Sequence, residues 1–173
     1  HRSDIANPFP QPNVNDAGAL TVRPENPRLI EIYSEWYKMV ARANQVIGRV
    51  PDIEMDATRK QEILGEAHFL RGFAYTYIVN LWGTSPLSLE EPEGLEDLFL
   101  PNSTIEQTYA AIINDFTIAQ ANLPKDGRPP KGEVGRATWG AATAFLGRSY
   151  LYTENFPQAA AELKKVIDAG IYE

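Results

Sequence analysis

Asp52, Glu54 and Asp56 stand at the alternating positions with which an oxygen-rich loop begins to enclose calcium. Ala57 occupies the place where such a loop needs glycine, and Ile63 the place of its closing glutamate, so the run reads as a turn leading into a helix. His1 and His68 are the only histidines, cysteine is absent, and no acid or histidine stands at a zincin spacing, so neither metal catalysis nor thiol chemistry is expected. No glycine-rich phosphate loop, G-x-S-x-G elbow or Ser/His/Asp arrangement appears. Glycoside hydrolysis needs two carboxylates about 5 to 10 Å apart. The acids here gather at helix starts and in one acidic loop, where carboxylates usually serve structure or solvation. No catalytic residue and no cofactor is expected.

The remaining chemistry is recognition. A sugar ring is bound by an exposed aromatic face beside Asn, Asp, Arg or Gln groups. Segments able to expose such groups are the irregular N-terminus, with Phe9, Asn13, Asn15 and Arg23, and an acidic loop carrying Phe99. Trp82, at a helix end beside Gly83, is a further ligand candidate as well as a packing residue, whereas Trp36 and Trp139 lie in apolar stripes and read as core.

The elements that must position these groups are helical. Residues 1–26, with four prolines and several asparagines, read as irregular chain, and residues 27–173 as a helical domain. Asn26 and Pro27 open a first helix whose apolar positions, among them Trp36, Val40, Ala43 and Ile47, recur every three or four residues until Gly48 and Pro51 end it. Thr58 with Gln61 forms an expected capping box for a second helix running to about Leu81, and Ser103 with Glu106 one for a third. A fourth helix is expected from about Ala137 to Tyr152, and a fifth from Asn155 to about Ala169, closed by Gly170. The two residues between the last pair make it antiparallel. The linkers 84–102, rich in acids, and 124–136, rich in bases, read as solvated loops. No segment shows period-two alternation, so the chain is expected to be all-α.

The stretch GEAHFLRGFAYTYIVNLWGTSPL, residues 65–87, is the densest in aromatics. Ile63, Ala67, Leu70, Ala74, Tyr77, Ile78 and Leu81 make one apolar face, and Phe69, Phe73 and Tyr77 a second. A helix apolar on most of its circumference is expected to be buried. Glu66 and Arg71 lie about 140 degrees apart around it and cannot pair with each other, so each must find a partner elsewhere. Leu146, Gly147 and Tyr150, followed by Ala159 and Leu163, fit the tetratricopeptide pattern at its offsets, with small residues where two helices cross. A stack of antiparallel helix pairs is the expected architecture, and a concave face gripping a peptide or protein an alternative use of it.

Composition narrows the partners. A formal charge of -7 offers no basic stripe to phosphates, which excludes nucleic acid as an expected partner. No apolar run reaches the roughly 20 residues of a bilayer span, and the polar start is not a signal peptide.

The order of WYKMVARANQVIGRVP, GEAHFLRGFAYTYIVNLWGTSPL, STIEQTYAAIINDFTIAQANLP, GRATWGAATAFLGRSYLY and FPQAAAELKKVIDAGIYE resembles the N-terminal helical part of the SusD/RagB family, from about residue 30 onward. The motifs E-A-x-F-L-R, G-x-x-P-L and N-D-F-x-x-A carry the likeness. The resemblance implies a tetratricopeptide-like scaffold in a surface lipoprotein of Bacteroidota. Such a protein binds glycans or related nutrients without catalysis and covers a SusC-like TonB-dependent transporter in the outer membrane. It also implies that the lipid anchor and the C-terminal part of the ligand surface lie outside these 173 residues. Arg71 is expected to be buried against a carboxylate of another helix, with Asp115 of the N-D-F motif the first candidate.

Overall fold

The computed structural model describes residues 23–126 and 133–171. Phe9, Asn13 and Asn15 therefore lie outside the described residues. The chain divides into two compact units, residues 1–38 and 39–173. In the first, a turn precedes helix α1 (Pro27–Arg49), whose first turn is capped by Asn26: its Oδ1 accepts the Arg28 N–H at 2.9 Å. Tyr33 and Tyr37, one turn apart, bring their rings to 4.8 Å.

In the second unit the C-terminal half of α1 buries Val40, Ala43 and Asn44. A single 3-10 turn, Val50–Asp52, leads to α2 (Ala57–Trp82). The cap of α2 is Asp56 rather than Thr58: its carboxylate accepts the Arg59 N–H at 2.8 Å, which places Thr58 inside the first turn. After α2 the chain is not purely helical. Ser85–Pro86 (β1) and Asn102–Ser103 (β2) pair antiparallel, Ser85 opposite Ser103. That pairing draws Ser103 into extended backbone and moves the next cap on by one residue. Thr104 and Gln107, not Ser103 and Glu106, form the capping box of α3 (Ile105–Asn122).

Helix α4 (Trp139–Tyr152) starts two residues later than expected, because the Thr138 hydroxyl accepts the Ala141 N–H. Three residues, not two, connect it to α5 (Phe156–Ala169). Gly170 ends α5 with φ 61°, a left-handed conformation that glycine adopts at little cost. Among the described residues these five α-helices, two 3-10 turns and the one two-residue strand pair are the regular elements, and no helix is long and apolar enough to cross a membrane.

Successive helices pack on one another, α2 on α3, α3 on α4 and α4 on α5. Gly65 of α2 faces Asn122 and Leu123, whereas Gly72, two turns on, faces Asp115 and Phe116, so α2 and α3 are antiparallel. Phe116 meets Phe145, and Tyr109 meets Tyr152, which makes α3 and α4 antiparallel too. At the α4–α5 crossing a Cβ on Gly147 would lie 2.8 Å from Leu163 Cγ, and Ala159 is buried, so the small residues of the repeat pattern are those that let the backbones approach. Tyr75, Ile78, Ile112, Phe116, Ala142 and Leu146 lie in the core.

The expectation that α2 is buried all round is corrected on one side. Phe69, Ala74 and Ile78 are inside, but Leu70, Tyr77 and Leu81 are exposed, Leu81 by 60%. Their spacing of seven and four residues sets them in one exposed row. Trp36 and Trp139, expected in the core, are half-buried.

Candidate binding loop and the buried network beneath it

Between β1 and β2 the chain makes a loop whose ends meet, the construction of an Ω-loop. Asp97 shapes its outer part: the carboxylate accepts the N–H groups of Glu93 and Gly94 at 3.0 and 3.1 Å. A 3-10 turn, Glu96–Leu98, follows and is closed by the Phe99 N–H on the Glu96 carbonyl. Leu95 and Phe99 project from this part, 76% and 84% exposed.

The inner part is not the solvated loop expected from its composition. Ser85 is buried, and the Ser88, Leu89 and Glu90 carbonyls each accept hydrogen bonds from helix side chains. Tyr75 Oη donates to the Ser88 carbonyl at 2.8 Å and accepts the Ser88 N–H at 2.7 Å. Asn44 Nδ2 donates to the Ser88 and Glu90 carbonyls at 3.2 and 3.0 Å. Arg71 Nη1 donates to the Leu89 carbonyl and, at 2.9 Å, to Asn44 Oδ1. The rest of the Arg71 guanidinium meets Asp115: Nε donates to Oδ2 at 2.9 Å and Nη2 to Oδ1 at 2.8 Å. His68 Nδ1 lies 2.8 Å from the same Oδ1. Asp115 is 1% exposed, and Arg71 and Asn44 are buried with it. The result is a continuous polar network from α3 through α2 and α1 into the loop.

An outer clamp adds to it. Arg49 Nε donates to Glu91 at 2.8 Å, and a second Arg49–Glu91 contact makes the pair bidentate. These bonds hold the Glu91 carboxyl below the usual carboxylate range and raise Arg49. Glu66, the other charge of the aromatic stretch, pairs with Arg136 through bonds of 2.6 and 2.7 Å, chiefly which lifts the Arg136 pKa. Arg136, expected in a solvated loop, is thereby tied to α2.

Of the residues singled out from sequence, the structure brings Arg71 and Asp115 into contact. Trp82, half-buried at the end of α2, and Phe99 flank and occupy the same loop segment. Arg23 is exposed in the turn before α1 and belongs to the first unit. Asn44, Tyr75 and His68 were not anticipated. Asn44 carried a signal, as a polar residue beside Ala43 on the apolar stripe of α1. Nothing in sequence marked the three carbonyls.

The pattern of a family described as starch-binding and associating with the outer membrane matches residues 9–151. A SusD-like protein of Formosa agariphila, P38, is 31% identical over 115 residues, 66% of this chain and 22% of the relative. Among solved structures, a laminarin-binding SusD-like protein superimposes with a TM-score of 0.81 at 29% identity, over 89% of this chain and 33% of its own. A structure with xylogluco-oligosaccharide superimposes with a TM-score of 0.76 at 25% identity, over 91% of this chain and 33% of that one. The chain thus spans a third or less of the length of these relatives. Family pattern and helix arrangement agree over most of the described residues, and the chain belongs to the SusD-like family.

Proposed function

We propose that this chain is the helical section of a non-catalytic glycan-binding protein of the bacterial outer surface, lipid-anchored upstream and delivering oligosaccharide to a TonB-dependent transporter. The loop between β1 and β2 is its own contribution to the ligand surface. The observation that carries this reading is Phe99: a ring so exposed adds nothing to a core, while its face is free to stack on a pyranose. Glu90, Glu93 and Glu96 of the same loop are exposed and can accept hydrogen bonds from sugar hydroxyls. Asp97 and Glu91 are engaged in shaping the loop, which favours binding over acid–base chemistry there. The relatives named for laminarin and solved with xylogluco-oligosaccharide support a glycan as the ligand class.

Titration calorimetry of the chain with laminarin and xyloglucan oligosaccharides tests the reading. A bound glycan whose affinity falls about tenfold or more in Phe99→Ala is the expected result, with no release of reducing sugar. Silence toward every glycan overturns it. The exposed apolar residues Leu70 and Leu81, on one side of α2, favour a second reading, a scaffold whose helix face grips another protein segment. That reading stands if the chain ignores glycans.

A further inference from the structure

The network under the loop is built differently from the rest of the core. Elsewhere the helices meet through Phe69, Ile78, Ile112, Phe116 and Leu146, which pack without direction. At the loop, Asn44, Arg71 and Tyr75 collect three consecutive main-chain carbonyls and one N–H. A buried ion pair is weak as a source of stability, because desolvation offsets most of its attraction. Its hydrogen bonds are directional and satisfied in one geometry only. Apolar residues at these places would hold the helices together equally well and would leave the loop carbonyls without partners.

We infer that Asn44, Arg71 and Tyr75, oriented by Asp115, are positioning residues that preform the loop carrying Phe99. This rests on the proposed glycan site in one respect, that loop order is used for binding. Asp115 accepts two bonds from Arg71 and so fixes the plane of the guanidinium, leaving Nη1 aimed at the Leu89 carbonyl and Asn44 Oδ1. With its Oδ1 engaged, Asn44 turns its amide donor to the Ser88 and Glu90 carbonyls. Tyr75 closes both main-chain polar groups of Ser88 with one hydroxyl. Residues 88–90, where the chain enters the loop, are thus set by side chains of two helices, and the two ends of the loop by the pairing of Ser103 with Ser85. A loop ordered before the ligand arrives loses less conformational entropy on binding.

Two variants test this without breaking the Arg71–Asp115 pair: Asn44→Leu, which removes the donors to Ser88 and Glu90, and Tyr75→Phe, which removes one hydroxyl. Hydrogen exchange by mass spectrometry reads order without any ligand. Exchange in peptides spanning 87–101 is expected to rise about tenfold or more, while the middle of α3 stays protected. Unchanged loop exchange, or equal acceleration in α3, overturns the inference, since the residues would then serve nothing or only global stability. Calorimetry with laminarin and xyloglucan oligosaccharides supplies the second arm. Asn44→Leu is expected to weaken binding about tenfold, and Asn44→Leu with Phe99→Ala to bind no more weakly than Phe99→Ala alone, as coupled residues do. Undiminished glycan affinity in Asn44→Leu, where Phe99→Ala is impaired, overturns positioning and leaves the glycan reading intact. A parent chain silent to glycans sinks the functional proposal instead, and the exchange result still decides whether these residues order the loop.

Discussion

Asp115 lies where one helix, α2, presents both the Arg71 guanidinium and the His68 ring nitrogen to its carboxylate, and little water reaches it. Removing one partner of such a pair leaves the other buried without compensation, which costs about 3–5 kcal/mol. Asp115→Ala is expected to lower unfolding stability by about that amount in urea titration, and a double change of Asp115→Leu with Arg71→Met by clearly less. The Arg49–Glu91 clamp behaves differently because it is exposed. Its hydrogen bonds depress the Glu91 pKa in the folded chain, so its contribution is complete above the unfolded value and disappears as pH falls through the folded one. Amide exchange at Glu90 and Glu91, corrected for its intrinsic pH dependence, is expected to lose protection below about pH 4 and to show no such loss between about pH 6 and 8. That Glu66 and Arg71 must look to different partners follows from helix geometry alone. Who the partners are does not, since Asp115 is 44 residues from Arg71 and Arg136 is 70 from Glu66.

The helices themselves are written in local signals, and their small residues divide into two kinds. Gly48 has nothing within 4 Å of a Cβ, whereas a Cβ on Gly72 would come within 3.2 Å of Asp115 Cβ and the Phe116 ring, both fully buried and unable to give way. Gly48→Ala is therefore expected to stabilise α1 by roughly 0.5–1 kcal/mol, through helix propensity and the reduced freedom of the unfolded chain. Gly72→Ala is expected to destabilise by roughly 1–3 kcal/mol, because overpacking outweighs the same propensity gain. Thermal or chemical unfolding of the two variants side by side checks the opposite signs. The ends of the elements are less legible in the sequence than their existence, for a related reason. Thr104 replaced Ser103 as cap because Ser103 is taken by pairing with Ser85, and a capping box cannot announce a competitor that lies far along the chain.

At the scale of the whole molecule, periodicity points to a stack of helices, and α2 to α5 pack on one another in that way. In this span, a third of the length of the solved SusD-like protein it superimposes on, α2 shows an exposed apolar row that includes Leu70 and Leu81. Such a row is suited to contact with further protein, although periodicity alone marked it as core, because an apolar stripe looks the same whether its cover is near or far. The sequence by itself determined the helices, their order, the tight α4–α5 crossing and the family, since caps, spacing and small residues act within a turn or two or as contiguous motifs. Only the tertiary structure decided what holds residues 85–90 and how Phe99 is displayed. The reason is that the groups satisfied there are main-chain carbonyls, which every residue carries, and their donors, Asn44, Arg71 and Tyr75, reach them only after three helices have packed.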